Sequence, residues 1–142
     1  MSTIIVASDT AAVRREVISI LDGGEHEIIE AHSGPEVIEL AHELEQVDLV
    51  IGDIQMATMG AIAVCLELRL QASYDALDEI PFLMLLDRRP DVFQAKRCGA
   101  DGWIIKPLDA IRIRRGVAAL LAGDRYEDAS FMPATVLAGE GG

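Results

Sequence analysis

Three carboxylates and one lysine stand where apolar runs of the sequence stop. Asp9 follows the run TIIVAS, Asp53 closes VDLVIGD, Asp87 closes PFLMLLD, and Lys106 closes GWIIK. An ionised carboxylate at the end of a buried run is costly unless a cation or a hydrogen-bond donor lies beside it. If the four runs lie side by side, these four side chains are candidates for one shared site.

The residue types of this candidate site suit phosphoryl chemistry. Two neighbouring carboxylates repel each other unless a cation intervenes, and Mg²⁺ prefers oxygen ligands of this kind. A carboxylate flanked by Mg²⁺ and a lysine can accept a phosphoryl group, because both cations offset the charge of the transferred oxygens. A structural ion pair between Asp53 and Lys106 explains the same two residues, and at this point both interpretations stay open.

Hydrophobic periodicity predicts the elements that would position these residues. Runs rich in β-branched residues alternate with segments whose apolar residues recur at helical spacing. Strands are predicted over residues 3–8, 26–31, 47–53, 81–87 and 102–106, and helices over residues 10–21, 34–44, 59–70, 92–98 and 108–121.

Strands that alternate with helices indicate an α/β fold. The expected architecture is doubly wound, with a five-stranded parallel sheet inside a three-layer sandwich. Sites in such sheets form beyond the carboxyl ends of the strands, which is where the three acids and the lysine stand. The predicted domain covers residues 1–122. Residues 123–142 are expected to be a C-terminal tail, partly extended or disordered and too short to be an output domain.

Composition and charge restrict the classes of function. A chain of 142 residues with 51% hydrophobic residues suits one domain with a substantial core. The net charge of −12 argues against nucleic-acid binding. No run is long enough to span a membrane and no signal peptide is visible, so a cytoplasmic protein without a membrane partner is expected. Eight of the 12 basic residues lie between residues 88 and 115, either as a solvated face or as a surface for a partner.

Two segments carry a resemblance to a known family. VDLVIGDIQMATMGAIAVCLELR resembles the phosphorylation-site block of response-regulator receiver domains (CheY-like), and GADGWIIKPLD resembles their fifth-strand block. The resemblance runs from about residue 3 to residue 121. It implies a flavodoxin-like (βα)5 fold and a role in two-component signal transduction.

The resemblance implies a role for each matching residue. Asp53 corresponds to the phospho-acceptor, and Lys106 corresponds to the lysine that pairs with the phosphoryl group. Asp9, Asp53 and the backbone carbonyl of Gln55 correspond to the Mg²⁺ ligands. Trp103 occupies the position of an aromatic residue that turns when the domain switches, although a packed aromatic on an edge strand explains it equally well.

Several positions depart from the family pattern, and three of them lie at predicted strand ends. Ser8 replaces the first metal-binding acid, so Mg²⁺ is expected to bind weakly. Leu86 occupies the position of the Ser or Thr whose hydroxyl normally binds the phosphoryl group. Asp87 follows it and adds a negative charge near a site meant for a dianion. The acceptor chemistry is therefore expected to be intact, whereas the switch that senses it is altered.

The favoured hypothesis is an atypical stand-alone receiver rather than an enzyme. Asp53 would take a phosphoryl group from a histidine kinase, a phosphotransfer protein or a small phosphodonor. The protein would signal to an unidentified partner, or form a homodimer, through its fourth helix, fifth strand and fifth helix. The alternative is a phosphorylation-independent pseudo-receiver that acts as a protein-interaction module. A third hypothesis, a small Mg²⁺-dependent catalyst using Asp9 and Asp53, lacks a visible substrate motif.

Overall fold

The computed structural model describes residues 1–131, which form six strands and five α-helices. The tail predicted to be partly extended or disordered covers residues 123–142, and residues 132–142 of it lie outside the described part of the chain. The strands are β1 (Ser2–Ala7), β2 (His26–Ala31), β3 (Leu49–Asp53), β4 (Phe82–Leu86), β5 (Gly102–Ile105) and β6 (Tyr126–Glu127). The helices are α1 (Ala11–Leu21), α2 (Gly34–Glu43), α3 (Ala61–Ser73), α4 (Val92–Arg97) and α5 (Ala110–Leu121), with a 3₁₀ turn at Arg89–Asp91 before α4.

The strands form one parallel sheet in the order β2-β1-β3-β4-β5-β6. The prediction of a parallel sheet is confirmed, but the prediction of five strands is wrong, because Tyr126 and Glu127 add a sixth. These residues pair with Gly102 and Trp103 of β5. An edge strand presents unpaired backbone groups, and β6 satisfies part of that edge.

Helices cover both faces of the sheet, and each face has its own core. Alternate residues of β4 point to opposite sides, as the two-residue period of a strand requires. Phe82, Met84 and Leu86 belong to the core beneath α2, α3 and α4. Leu83 and Leu85 belong to the core beneath α1 and α5. The result is a three-layer α/β fold.

The centre of the sheet carries the acceptor candidate. All five residues of β3 are buried, including Asp53 at its carboxyl end. Gly52 precedes it because a β-carbon there would lie 2.7 Å from the ring of Phe82 on β4. This close packing fixes the end of β3, and with it the position of Asp53. Across residues 1–131, no helix combines the length and the apolar character needed to cross a membrane.

Candidate functional site

The candidate site lies at the carboxyl end of the sheet, where four strand ends meet. Asp53 closes β3, Asp87 follows β4, Lys106 follows β5, and Ser8 with Asp9 follows β1. Parallel strands bring these ends to one edge, so residues far apart in sequence become neighbours. The Lys106–Pro107 peptide bond beside the site is cis.

Asp53 is the buried centre of this group, with only 2% of its surface exposed. Its Oδ1 accepts a hydrogen bond from Lys106 Nζ at 2.7 Å and one from the backbone amide of Gln55 at 3.2 Å. Its Oδ2 accepts a hydrogen bond from the hydroxyl of Ser8 at 2.8 Å. The carboxylate is thus paired and hydrogen-bonded, which offsets the cost of burying it.

Lys106 bridges two carboxylates. Its Nζ lies 2.7 Å from Asp53 Oδ1 and 3.0 Å from Asp87 Oδ1. Burial lowers the pKa of Lys106, but the hydrogen bonds and charges of both aspartates outweigh burial and hold the pKa above its ordinary value. The ammonium therefore stays charged at neutral pH and is available to pair with an anion at Asp53.

Asp9 stands apart from the ion pair at the open side of the site. Its side chain is exposed, and its Oδ2 accepts a hydrogen bond from the amide of Ala57 at 3.0 Å. The donors of Asp9, Asp53 and the Gln55 carbonyl are all oxygens, which suits Mg²⁺. Ser8 supplies a neutral hydroxyl, fully buried, where a third acid would add charge. Among residues 1–131 no cluster of three or more His, Cys, Asp or Glu side chains could hold a metal.

The end of β4 differs most from an arrangement that senses a phosphoryl group. Leu86 is fully buried in the core under α3 and α4, and its side chain has no hydroxyl to donate. Asp87 instead points its carboxylate at Lys106. The amide of Asp87 donates to Asp91 Oδ2 at 3.2 Å, as does the amide of Arg88 at 3.0 Å. The polypeptide from residue 87 to residue 91 is thus one hydrogen-bonded turn.

Trp103 is enclosed rather than free to turn outward. Only 1% of its surface is exposed. Lys96 Nζ lies over the ring at 5.7 Å from its centroid, and the Arg125 guanidinium lies over it at 6.0 Å. Within residues 1–131 its Nε1 has no hydrogen-bond partner. Pairing of its backbone with Glu127 places β6 directly beside it.

The sequence interpretation missed a second buried carboxylate, Asp128, next to this site. Its Oδ2 accepts hydrogen bonds from the amide of Ile105 at 2.9 Å and from the Arg112 guanidinium. Its backbone carbonyl accepts a hydrogen bond from the Arg89 guanidinium. Burial raises the pKa of Asp128, but these donors and the amide of Ser130 outweigh burial and hold the pKa below its ordinary value. No local pattern around Asp128 predicts this pairing, because its partners lie on other elements.

These features define a class of protein, and comparison with known proteins agrees. An α/β fold with a buried Asp at the end of β3 and a Lys beyond β5 is that of a signalling receiver. The family model for the response regulator receiver domain matches residues 4–118. The chain therefore belongs to the response regulator receiver domain family of two-component signalling.

Individual relatives are distant. Protein PilH of Pseudomonas aeruginosa is 26% identical over 123 residues, which cover 87% of this chain and all of PilH. The transcriptional regulatory protein PdtaR of Mycobacterium tuberculosis is 31% identical over 105 residues, which cover 73% of this chain and 49% of PdtaR. The chain thus spans about half of the length of PdtaR.

Solved structures show the same fold. Chemotaxis response regulator CheY4 of Vibrio cholerae superposes with a TM-score of 0.74 at 24% identity, covering 84% of this chain and 98% of that one. A putative response regulator from Chloroflexus aurantiacus superposes with a TM-score of 0.77 at 22% identity, covering 85% and 98%. Membership of the receiver domain family implies interaction with a histidine kinase or a phosphotransfer partner.

Proposed function

We propose that this protein is a receiver that accepts a phosphoryl group on Asp53. The observation that carries the proposal is the contact between Asp53 and Lys106, which places a charged ammonium 2.7 Å from a carboxylate at the end of the central strand. An ammonium in this position stabilises the negative charge of an incoming phosphoryl group. We assign Asp53 as the acceptor and Lys106 as the group that pairs with the phosphoryl oxygens.

The chemistry at Asp53 is a transfer between oxygens. A carboxylate oxygen of Asp53 forms a bond to phosphorus, and the bond from phosphorus to the donor breaks. With acetyl phosphate the donor leaves as acetate and keeps the bonding electrons; with a phosphohistidine donor the bond from phosphorus to nitrogen breaks and the histidine imidazole leaves with those electrons. The hydrogen bonds from Ser8 and Gln55 orient the Asp53 carboxylate before the transfer.

Asp9, Asp53 and the Gln55 carbonyl are the residues that we expect to hold Mg²⁺. When bound, the metal supplies charge neutralisation and orients the donor. Ser8 contributes no charge, so we expect weaker binding than a site with three acids would give.

The output face that we assign consists of α4, β5 and α5. Together with the turns around these elements it carries eight of the 12 basic residues of an otherwise acidic protein, which suits an acidic partner or a second copy. We propose that residues 1–122 form the receiver unit and that residues 123–142 are an appendage to it.

A second candidate function is a pseudo-receiver that binds partners without phosphorylation. The observation that favours it is Leu86, whose buried side chain provides no hydroxyl to bind a phosphoryl oxygen. Asp87 favours the same candidate, because its ion pair with Lys106 competes with any phosphoryl group for the ammonium. The two candidates differ in whether Asp53 is modified.

Intact mass spectrometry after incubation with Mg²⁺ and acetyl phosphate separates the candidates. The receiver gains one phosphoryl mass, and Asp53→Asn gains none because the amide is a poor nucleophile. Asp9→Asn serves as a matched variant at the same site, which keeps the acceptor and lowers the yield at limiting Mg²⁺. An unchanged mass of the wild-type chain with every donor tested supports the pseudo-receiver and contradicts phosphorylation.

A further inference from the structure

Residues 124–131, which we call the strap, run along the open edge of β5. Tyr126 and Glu127 form the strand β6, and the amide of Tyr126 donates to the carbonyl of Asp101 at 3.2 Å. Arg125 donates to the carbonyl of Ala100 at 3.3 Å. The strap therefore occupies the edge of the sheet that belongs to the assigned output face.

One buried residue anchors the strap. Asp128 is 4% exposed, and its carboxylate binds the amide of Ile105 on β5 and the guanidinium of Arg112 on α5. Its carbonyl binds the guanidinium of Arg89, in the 3₁₀ turn before α4. The strap is thus held from both sides of β5, and one of its two arginine partners lies in the turn that follows β4.

That turn also touches the candidate acceptor site. Lys106 Nζ is shared between Asp53 and Asp87, at 2.7 and 3.0 Å. Asp91 accepts hydrogen bonds from the amides of residues 87 and 88, so Arg89 lies in the same hydrogen-bonded turn as Asp87. A continuous series of contacts therefore connects the charge at Asp53 to the anchor of the strap.

We propose that the strap covers the output face while Asp53 is unmodified and is released when Asp53 is phosphorylated. The proposal rests on the phosphorylation proposed above. A phosphoryl group adds negative charge at Asp53, which draws Lys106 away from Asp87 and repels the Asp87 carboxylate. The turn then shifts outward, Arg89 loses the carbonyl of Asp128, and the strap detaches from β5. Asp87 thereby acts as a positioning residue that replaces the missing hydroxyl at Leu86.

The strap also indicates what kind of partner fits the uncovered face. It carries three acids, Asp124, Glu127 and Asp128, and one base, Arg125, and Asp128 forms an ion pair with Arg112 on α5. A released β5 edge accepts another strand by backbone pairing, and the surrounding basic residues select an acidic one. The partner class is therefore an extended acidic segment of another protein.

Hydrogen exchange on the full chain tests the release. Mass and amide exchange are measured on the same sample, with and without Mg²⁺ and acetyl phosphate. We expect the amides of Ile105 and Tyr126 to exchange about tenfold faster in the phosphorylated protein, because each is protected by a bond of the strap. The amide of Val50 in β3 serves as an internal reference and keeps its rate.

Three variants sharpen the test. Arg89→Gln accelerates exchange at Ile105 and Tyr126 without phosphate, whereas Arg97→Gln on α4 does not. Asp87→Asn keeps an oxygen for Lys106 but loses the charge, so it forms the adduct without the acceleration.

Trp103 is the sole tryptophan of the chain, and its emission shifts to the red on release because β6 lies beside it.

The outcomes separate the two proposals. An adduct on Asp53 with unchanged exchange at Ile105 and Tyr126 overturns the strap and leaves phosphorylation intact. Equal acceleration in wild type and Asp87→Asn overturns the route through Asp87. Absence of any adduct overturns phosphorylation and the coupling together.

Discussion

Asp87 is the residue whose chemistry departs most from a simple acceptor site. It holds Lys106 at 3.0 Å while Asp53 holds the same ammonium at 2.7 Å. The negative charge of Asp87 near the acceptor opposes the arrival of a phosphoryl group. Asp87 also competes for the Lys106 ammonium that would stabilise that group. The ion pair between Asp87 and Lys106 therefore stabilises the unmodified protein and lowers the reactivity of Asp53 toward a phosphoryl donor.

Replacement of Asp87 by Asn is expected to speed phosphorylation of Asp53. Removal of one partly exposed charge lowers the barrier by about 1 kcal/mol, which is about fivefold in rate. The measurement is the initial rate of adduct formation with acetyl phosphate. Asp75→Asn, an exposed acid beyond the end of α3, is the matched control and should leave the rate unchanged. A rate in Asp87→Asn at or below that of wild type contradicts the expectation.

Ser8→Asp is expected to make the fold depend on Mg²⁺. The hydroxyl of Ser8 donates to Asp53 Oδ2 at 2.8 Å, and a second carboxylate in its place repels Asp53. Without metal the melting temperature should fall. With Mg²⁺ it should recover, because the added charge tightens metal binding by about 1–2 kcal/mol, or roughly tenfold.

Calorimetric titration and thermal melts with and without Mg²⁺ check this expectation. Ser8→Ala serves as the control, since it loses the hydroxyl without adding charge and should gain no affinity for the metal. Equal Mg²⁺ affinities in Ser8→Asp and wild type would contradict the assignment of this position.

The elements of the fold follow from hydrophobic patterning where they are long and periodic. The five predicted strands and five helices all exist, with ends displaced by a few residues: α3 extends to Ser73 rather than residue 70, and β4 begins at Phe82. The carboxyl ends of parallel strands lie at one edge of the sheet, so Asp53, Asp87 and Lys106 could be placed together from sequence. Helix ends are less determined because fraying turns contribute little free energy.

Strand β6 could not be predicted from its own residues. Two residues are too few to show a period, and the polar segment around them reads as a loop. The strand exists because β5 offers an unpaired edge and because Asp128 finds Arg112, which lies 16 residues earlier on α5. The contact between Arg89 and the carbonyl of Asp128 is likewise tertiary, so no local pattern predicts it.

The attachment of β6 is expected to depend on pH through Asp128. The pKa of Asp128 is lowered in the folded protein from an ordinary value of 3.8, so the unfolded chain binds the proton more tightly. The stabilisation is therefore complete above about pH 5 and is lost as the pH falls through 3.8 toward the lower folded value. We expect Asp128→Asn to cost about 1–3 kcal/mol at pH 7 and much less at pH 3.

Urea unfolding of both proteins at several pH values measures this difference. Asp124→Asn, an exposed acid of the strap, is the matched control and should show no such pH-dependent loss. A difference between Asp128→Asn and wild type that stays constant from pH 7 to pH 3 contradicts the role assigned to the Asp128 carboxylate.

At the scale of the whole molecule, charge is unevenly distributed. The net charge is −12, yet most basic residues lie in the part of the chain that forms α4, β5, α5 and the turns around them. Repulsion among the acidic residues of the rest of the chain opposes compactness. The basic region, by contrast, favours association with acidic partners at its own surface. Because the strap is itself acidic on balance, we expect it to compete with those partners.

Added salt is expected to stabilise the molecule at neutral pH. Screening of the net negative charge between 10 and 300 mM NaCl should raise the melting temperature by about 2–5 °C. The buried pair of Asp53 and Lys106 is screened less and should change little. Thermal melts followed by circular dichroism measure the effect. A smaller rise is expected near pH 4.5, the isoelectric point from the sequence, and a fall in melting temperature at pH 7 contradicts it.

The pairing of β6 with β5 has a further consequence for handling this protein. Beneath it lies the run GWII, Gly102–Ile105, which is apolar, rich in β-forming residues and bounded by Asp101 and Lys106. Once uncovered, such an edge templates cross-strand aggregation between molecules, and flanking charges are the gatekeepers that limit it. Two residues of strand thus also act as an aggregation guard, and preparations lacking them should precipitate at concentrations that the full chain tolerates.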